Sequence, residues 1–157
     1  MDELLKLLRD DASLTPAQIA GRLGREEGEV ESRIKSLESE GVILGYRTVI
    51  NEDKLEVDLV RAVIEVKITP EREGGFDRLA TRIAKFDEVR SCYLMSGGYD
   101  LMVVVEGRDL KAVSSFVSEK LATIQGVIST VTHFTLKPYK EEGVLMAGEY
   151  IDEKLSV

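Results

Sequence analysis

Residues 15–24 read Thr-Pro-Ala-Gln-Ile-Ala-Gly-Arg-Leu-Gly, and this stretch decides the fold of the N-terminal part of the chain. Thr15 is a good helix cap, Pro16 suits the first helical position, and Gln18 completes a capping box with Thr15. Gly24 then ends the helix, because glycine readily takes the left-handed conformation of a helix end. The sequence therefore predicts a short helix with a sharply defined start and end.

Two further helices flank this short one. Leucines at positions 4, 5, 7 and 8 predict an amphipathic first helix, and residues 26–40 predict a third helix that ends at Gly41. Residues 42–50 are rich in β-formers, which predicts a strand or hairpin. This order is typical of a winged helix-turn-helix over residues 1–50. The alternative is a generic three-helix interaction bundle.

The pattern changes after a polar turn at Asn51–Lys54, so we interpret residues 51–59 as a linker. Residues 60–138 alternate strand and helix patterns in the order βαββαβ, which predicts a ferredoxin-like sandwich and an α+β chain. Both helices of such a sandwich lie on one side of the sheet. We expect a second copy of the chain to cover the other side, which makes a homodimer.

Charge argues against strong DNA binding. The chain of 157 residues has a formal net charge of −8, and residues 1–50 contain seven Lys or Arg against ten Asp or Glu. DNA-binding proteins usually gain affinity from basic patches. No apolar run is long enough to span a membrane. Cys92, the single cysteine, has apolar neighbours and indicates a reduced core thiol, so we expect a cytoplasmic protein.

The third helix nevertheless suits a major groove. With Val30, Ile34 and Leu37 on its core face, the opposite face is mostly small and polar. The residues that can contact base edges there are Arg25, Ser32, Lys35 and Ser36. The candidates for phosphate contacts are Gln18, Arg22 and Arg47. Because Glu29 and glutamates in the first turn repel phosphates, we predict modest affinity per head and recognition by several heads together.

Arg33 and Lys35 also have structural interpretations. Each follows a glutamate by four residues, Glu29 and Glu31 respectively, and such helix pairs contribute only about 0.2–0.5 kcal/mol. Arg33 lies beside the core face, so we assign it the ion pair. We assign Lys35 to DNA.

Residues 96–100, Ser-Gly-Gly-Tyr-Asp, join two predicted strands. Gly97 and Gly98 fit a tight hairpin, which needs positive φ. A glycine pair also exposes backbone N–H groups that can hold a carboxylate, and Asp100 can pair with an ammonium group. Together these groups would recognise both ends of a free amino acid. We expect no nucleotide, since the loop is not a G-x-G-x-x-G fingerprint and no P-loop occurs.

Across nearly its whole length the chain resembles the leucine-responsive/asparagine regulator (Lrp/AsnC, or feast/famine) family. The resemblance is carried by the helix at 14–24, the run Val30-x-x-Arg-Ile-x-x-Leu-Glu-x-x-Gly-Val-Ile43, Gly45-Tyr46, Gly98-Tyr-Asp-Leu101 and Gly126-Val-Ile-x-Thr-x-Thr132.

The resemblance implies a DNA-binding head and an effector-sensing dimerisation domain of the RAM type, often assembled into tetramers of dimers. It places the effector at the loop containing Gly97, Gly98, Tyr99 and Asp100, with contributions from Thr130 and Thr132 on the last strand. We expect the effector to be an amino acid, and we expect no other cofactor. Residues 139–157 form an extension beyond the minimal family pattern, and we expect it to pack on a neighbouring subunit.

Two other functions remain open. The first is an enzyme on the same scaffold, since haem-pathway decarboxylases are known with a similar two-part fold. Its chemistry would need His or Arg clusters, but His133 is the single histidine, and an interfacial role suits it better. No nucleophile elbow is present either. The second alternative is an amino-acid-sensing partner subunit without strong DNA binding.

Overall fold

The computed structural model describes residues 2–146, which fold into two units. One unit contains residues 2–51 together with 139–146, and the other is Glu52–Pro138. The chain therefore leaves the first unit once and returns to it after completing the second. Residues 147–157 of the predicted extension lie outside the described residues.

The first unit contains three helices: α1 (Glu3–Asp10), α2 (Pro16–Leu23) and α3 (Glu27–Ser39). Both halves of the predicted capping box are formed at α2. Thr15 Oγ1 accepts a hydrogen bond from the Gln18 N–H at 3.2 Å, and Gln18 Oε1 accepts one from the Thr15 N–H at 2.9 Å. Gly24 is left-handed with φ of 63°. These local signals confirm the predicted start and end of the short helix.

The core of this unit lies where the three helices meet. Val30 and Leu37 of α3 are each 1% exposed, as their spacing predicted, while Ile34 is partly buried at the edge of the core. The residues that complete this core are Leu4, Leu8, Leu14, Ile19 and Ala20. With this side of α3 buried, the opposite side remains on the surface.

The predicted strand or hairpin at residues 42–50 is wrong: the structure contains no regular strand there. The N–H groups of Val42 and Ile43 both donate to the Leu37 carbonyl and so complete the end of α3. Leu44, the next residue, is 92% exposed. β-Propensity reflects packing on a paired surface, and this segment is paired with no strand among the described residues.

A short hairpin that the sequence did not predict follows the second unit. The strands that form it, Lys140–Glu141 and Val144–Leu145, pair with each other across a turn in which Glu142 and Gly143 both have positive φ. Asn51 Nδ2 donates to the Met146 carbonyl at 3.3 Å and connects the hairpin to the end of the N-terminal segment. Strands of two residues carry no detectable periodicity, which explains why the hairpin was missed.

The second unit has the predicted βαββαβ order. Its strands are β1 (Val60–Ile68), β2 (Val89–Leu94), β3 (Leu101–Gly107) and β4 (Val127–Phe134), in the antiparallel sheet order β2-β3-β1-β4. Its helices are α4 (Asp77–Ala84) and α5 (Leu110–Ser115), and α5 continues as a π-helix over Phe116–Leu121. The ferredoxin-like fold is confirmed.

Alternation divides this sheet into two faces. The face against the helices holds the core, which includes Ile64, Val66 and Val103, each fully buried. The other face, called here the open face, carries alternate residues of the same strands: Arg61, Val63, Glu65, Tyr93, Met102, Val104, Glu106, Val131 and His133. Tyr93 and Val131 each keep 52% of their surface exposed. The open face is therefore partly apolar and accessible.

Candidate DNA-binding surface and effector loop

The residues predicted to contact DNA lie on the surface of the first unit. Six are exposed, and Ser36 alone is half-buried; the exposed ones are Gln18, Arg22, Arg25, Ser32, Lys35 and Arg47. No ion pair among the described residues involves Arg22, Arg25, Lys35 or Arg47. These four cations can therefore turn to phosphates or base edges without first breaking a salt bridge.

Two of the predicted residues already have partners. The Gln18 side-chain oxygen serves the capping box, so its amide nitrogen is the group left for a phosphate. Ser36 Oγ donates to the Glu40 carboxylate.

Arg33 forms an ion pair, as predicted, but its partner is Asp2 at 3.5 Å rather than Glu29. Asp2 precedes α1 and also accepts from the Leu4 N–H, so this pair connects α1 to α3.

Tyr46 is a residue whose role sequence reasoning missed. Its hydroxyl donates to Glu38 Oε1 at 2.8 Å. This hydrogen bond holds the segment that follows α3 against the helix, and Arg47 is the next residue in that segment. Burial and the neighbouring Glu38 carboxylate raise the pKa of Tyr46, so it remains a neutral donor. The Gly45-Tyr46 step is visible in the sequence, but its partner eight residues earlier is not.

The loop between β2 and β3 contains the candidate effector residues. Gly97 has a φ of +120°, which side chains rarely permit, whereas Gly98 has no positive φ. A Cβ added to Gly98 would meet no atom within 4 Å. Hairpin geometry therefore accounts for Gly97 and leaves Gly98 without a structural requirement. Both glycines are exposed, and Tyr99 and Asp100 are half-buried.

Asp100 binds two neighbouring strands. Its N–H donates to the Val66 carbonyl at 3.0 Å, and its own carbonyl accepts from the Met95 N–H at 2.8 Å. Its side-chain Oδ2 accepts from the Ile68 N–H at 2.9 Å. One carboxylate oxygen is thus already occupied by the backbone of β1.

Thr130 and Thr132 point to the same face, as predicted from their spacing. Their register partners are the buried residues Val66 and Ile64, so both threonines lie on the helix-facing side, and both are half-buried. Leu101, which follows Asp100, pairs with Val66 from the opposite side. Two strand spacings, about 10 Å, therefore separate Thr130 from the base of the loop. Thr132 lies farther along the strand.

The residues considered for enzyme chemistry lie elsewhere. His133 Nε2 is 2.6 Å from Glu65 Oε2, and both residues belong to the open face. Burial raises the pKa of the Cys92 thiol, which makes it a poor nucleophile at neutral pH. Within residues 2–146, no cluster of three or more His, Cys, Asp or Glu could hold a metal ion. No helix among them is long and apolar enough to cross a membrane.

Two family models match the chain. One, described as the Lrp/AsnC ligand binding domain, matches residues 61–145, and one described as a winged helix-turn-helix DNA-binding domain matches residues 3–43. An uncharacterized HTH-type transcriptional regulator of Bacillus subtilis, YugG, is 42% identical over 99% of this chain and 94% of its own length. The HTH-type transcriptional regulator LrpA of Pyrococcus horikoshii is 34% identical over 87% of this chain and 94% of its own.

A solved structure is also similar. The transcriptional regulator NMB0573 of Neisseria meningitidis, solved as a complex with L-Met, superposes with a TM-score of 0.70 at 25% identity. The match covers 90% of this chain and 93% of that one. The likeness extends over both units.

Proposed function

Because this chain belongs to the Lrp/AsnC family of effector-modulated, DNA-binding transcriptional regulators, we propose that an amino acid sets its affinity for DNA. The observation that carries the proposal is the glycine at position 98. The fold does not require it, yet it keeps backbone N–H groups open at a loop beside β1. The complex of the similar Neisseria regulator with L-Met supports an amino acid as the effector.

We propose that the outward face of α3 enters the major groove. Arg25, Ser32, Lys35 and Ser36 then contact base edges, and Gln18, Arg22 and Arg47 contact phosphates. The exposure of four unpaired cations supports this assignment. Each phosphate contact by a cation releases condensed counterions, so affinity should fall steeply with salt.

We assign the effector to the loop that contains Gly97, Gly98, Tyr99 and Asp100. The N–H groups of the two glycines hold its carboxylate, since successive backbone N–H groups can form an anion-binding concavity. Thr130 and Thr132 contribute from β4, with Thr130 the nearer of the two to the base of the loop.

We propose that the open face pairs two copies of the chain as a homodimer, and that dimers assemble further into tetramers of dimers. Half-buried Val63, Met102 and Val104 next to exposed Tyr93 and Val131 give the face an apolar centre. The net charge of −3 on residues 1–50 makes a single head a weak binder. Linked heads raise affinity through effective concentration.

Regulation rather than catalysis is the function we infer. His133, the residue with the most catalytic potential, is paired with Glu65 on the proposed dimer face, where it contacts a partner copy instead of a substrate. A sensing partner subunit without strong DNA binding is the second candidate, and the acidic charge of residues 1–50 favours it. Copurification of a tetrapyrrole would overturn both.

Selection of random duplex DNA by the purified protein tests the proposal. The selection is run without amino acids and again with a mixture of the twenty. We expect one enriched motif, recovered with different efficiency in the two runs. Failure to enrich any motif favours the sensing partner subunit, and an enriched motif insensitive to amino acids contradicts the effector.

A further inference from the structure

β1 has one backbone donor that β3 does not reach. The β1–β3 ladder ends at the pair Val66↔Leu101. Groups two residues apart on a strand face the same neighbour, and Val66 faces β3 because its carbonyl accepts from Asp100. The Ile68 N–H therefore also points towards β3, where the next position is already in the loop. Ile68 is 3% exposed, so water cannot readily take the place of a strand partner.

The Asp100 carboxylate supplies the missing acceptor. Its Oδ2 lies 2.9 Å from the Ile68 nitrogen and extends the ladder by one hydrogen bond through a side chain. The register of β1 against β4 shifts between Lys67 and Ile68, so the strand is irregular at the point where this bond holds it. The bond joins residues that are 32 positions apart.

The main chain of the same residue closes the loop. The Asp100 carbonyl accepts from the Met95 N–H at 2.8 Å, and this hydrogen bond closes the loop of residues 96–99. The position of Asp100 therefore determines where the loop begins and ends. We propose that Asp100 is a positioning residue of the effector loop. It acts by holding Ile68, and its charge is not an ion-pair partner of the effector's ammonium group. This inference rests on the proposed effector site.

The distinction between charge and hydrogen bonding yields a direct test. Asp100→Asn keeps a side-chain oxygen that can accept from Ile68 but removes the charge, whereas Asp100→Ala removes both. Asp109→Ala is the matched control: Asp109 Oδ1 accepts from the Ala112 N–H at 2.7 Å, at the opposite end of β3. Each alanine variant thus loses one carboxylate bond to a backbone donor of the same unit.

A thermal-shift panel of the twenty L-amino acids on the full-length wild-type protein selects the probe, and calorimetry measures its Kd for each variant. We expect Asp100→Ala to weaken binding about tenfold or more and Asp100→Asn to stay within about threefold. Asp109→Ala should leave Kd unchanged while lowering thermal stability. Loss of binding in Asp100→Asn, or wild-type binding in Asp100→Ala, would overturn the inference.

Amide hydrogen exchange separates this inference from the proposed function. If no amino acid shifts the wild-type protein, the effector proposal fails, but exchange at Ile68 still reports on the bond. The Ile68 amide should be protected in wild type and Asp100→Asn, and should exchange faster in Asp100→Ala. Equal protection in Asp100→Ala contradicts the positioning role, and so does loss of protection in a folded Asp100→Asn.

Discussion

Replacing Gly98 by alanine should raise stability and abolish most effector binding. A new Cβ at this position meets no atom within 4 Å, and the backbone has no positive φ that would strain alanine. The substitution then stabilises the fold by about 0.4–1 kcal/mol, mainly by restricting the unfolded chain. For a domain the size of the second unit this corresponds to a rise in Tm of about 2–8 °C. The added methyl group, however, occupies the surface that we assign to the effector carboxylate.

The neighbouring glycine should show the opposite change in stability. Gly97→Ala places a side chain at a φ of +120° and should destabilise the protein by about 1–3 kcal/mol. Differential scanning calorimetry gives Tm, and titration with the selected amino acid gives Kd. We expect Gly98→Ala to raise Tm and to weaken binding about tenfold or more, a weakening that lost stability cannot explain. Wild-type affinity in a stabilised Gly98→Ala protein would refute the backbone-binding site.

Three further predictions concern DNA affinity, pH and assembly. Arg47→Ala, at a proposed phosphate contact, should weaken DNA binding and reduce the salt slope by about 1. Arg33→Ala, whose guanidinium is already in an ion pair, should leave the slope unchanged in the same anisotropy titration. Burial raises the pKa of Glu106, but hydrogen bonds from two arginines outweigh burial and hold that pKa below the usual range of a carboxyl group. The stability contributed by Glu106 is therefore present above the unfolded-state pKa and is lost as pH falls through the folded-state pKa. Denaturation of Glu106→Gln at several pH values should therefore show a deficit near pH 7 that shrinks in acid, and a constant deficit contradicts this origin. Val131→Glu should yield monomers in analytical ultracentrifugation, and the loss of the dimer should weaken DNA binding. Leu110→Glu is the control, because Leu110 is 58% exposed but lies on the helix layer, and this variant should remain dimeric. A dimeric Val131→Glu protein excludes the open face as the interface.

Local signals in the sequence predicted much of the fold. The capping box at Thr15 and Gln18 acts within four residues, and the left-handed Gly24 follows from one residue type. Strand β1 was predictable as the first strand of the βαββαβ order because one face is buried against helices, so burial alternates at every second position. Such features depend on residues that are close together in sequence, so they can be recognised from one amino-acid sequence.

Features that depend on distant partners were missed or misjudged. The segment 42–50 has the composition of a strand, but composition does not show whether another strand pairs with it, and within the described part of the chain none does. The sequence predicted a ligand contact for the carboxylate of Asp100 but not the hydrogen bond that one of its oxygens accepts from a backbone donor 32 residues away. Arg33 likewise pairs with Asp2, which precedes the first helix, rather than with Glu29 on its own helix.

An amino acid should change the affinity of this chain for DNA. The most direct test measures Kd for a DNA duplex carrying the selected motif, at fixed salt, with each of the twenty L-amino acids present in turn. We predict that at least one of them changes Kd about fivefold or more, and that Gly98→Ala removes this change while keeping DNA binding itself. An unchanged Kd with all twenty, on DNA that the wild-type protein binds specifically, would contradict control of DNA binding by an amino acid.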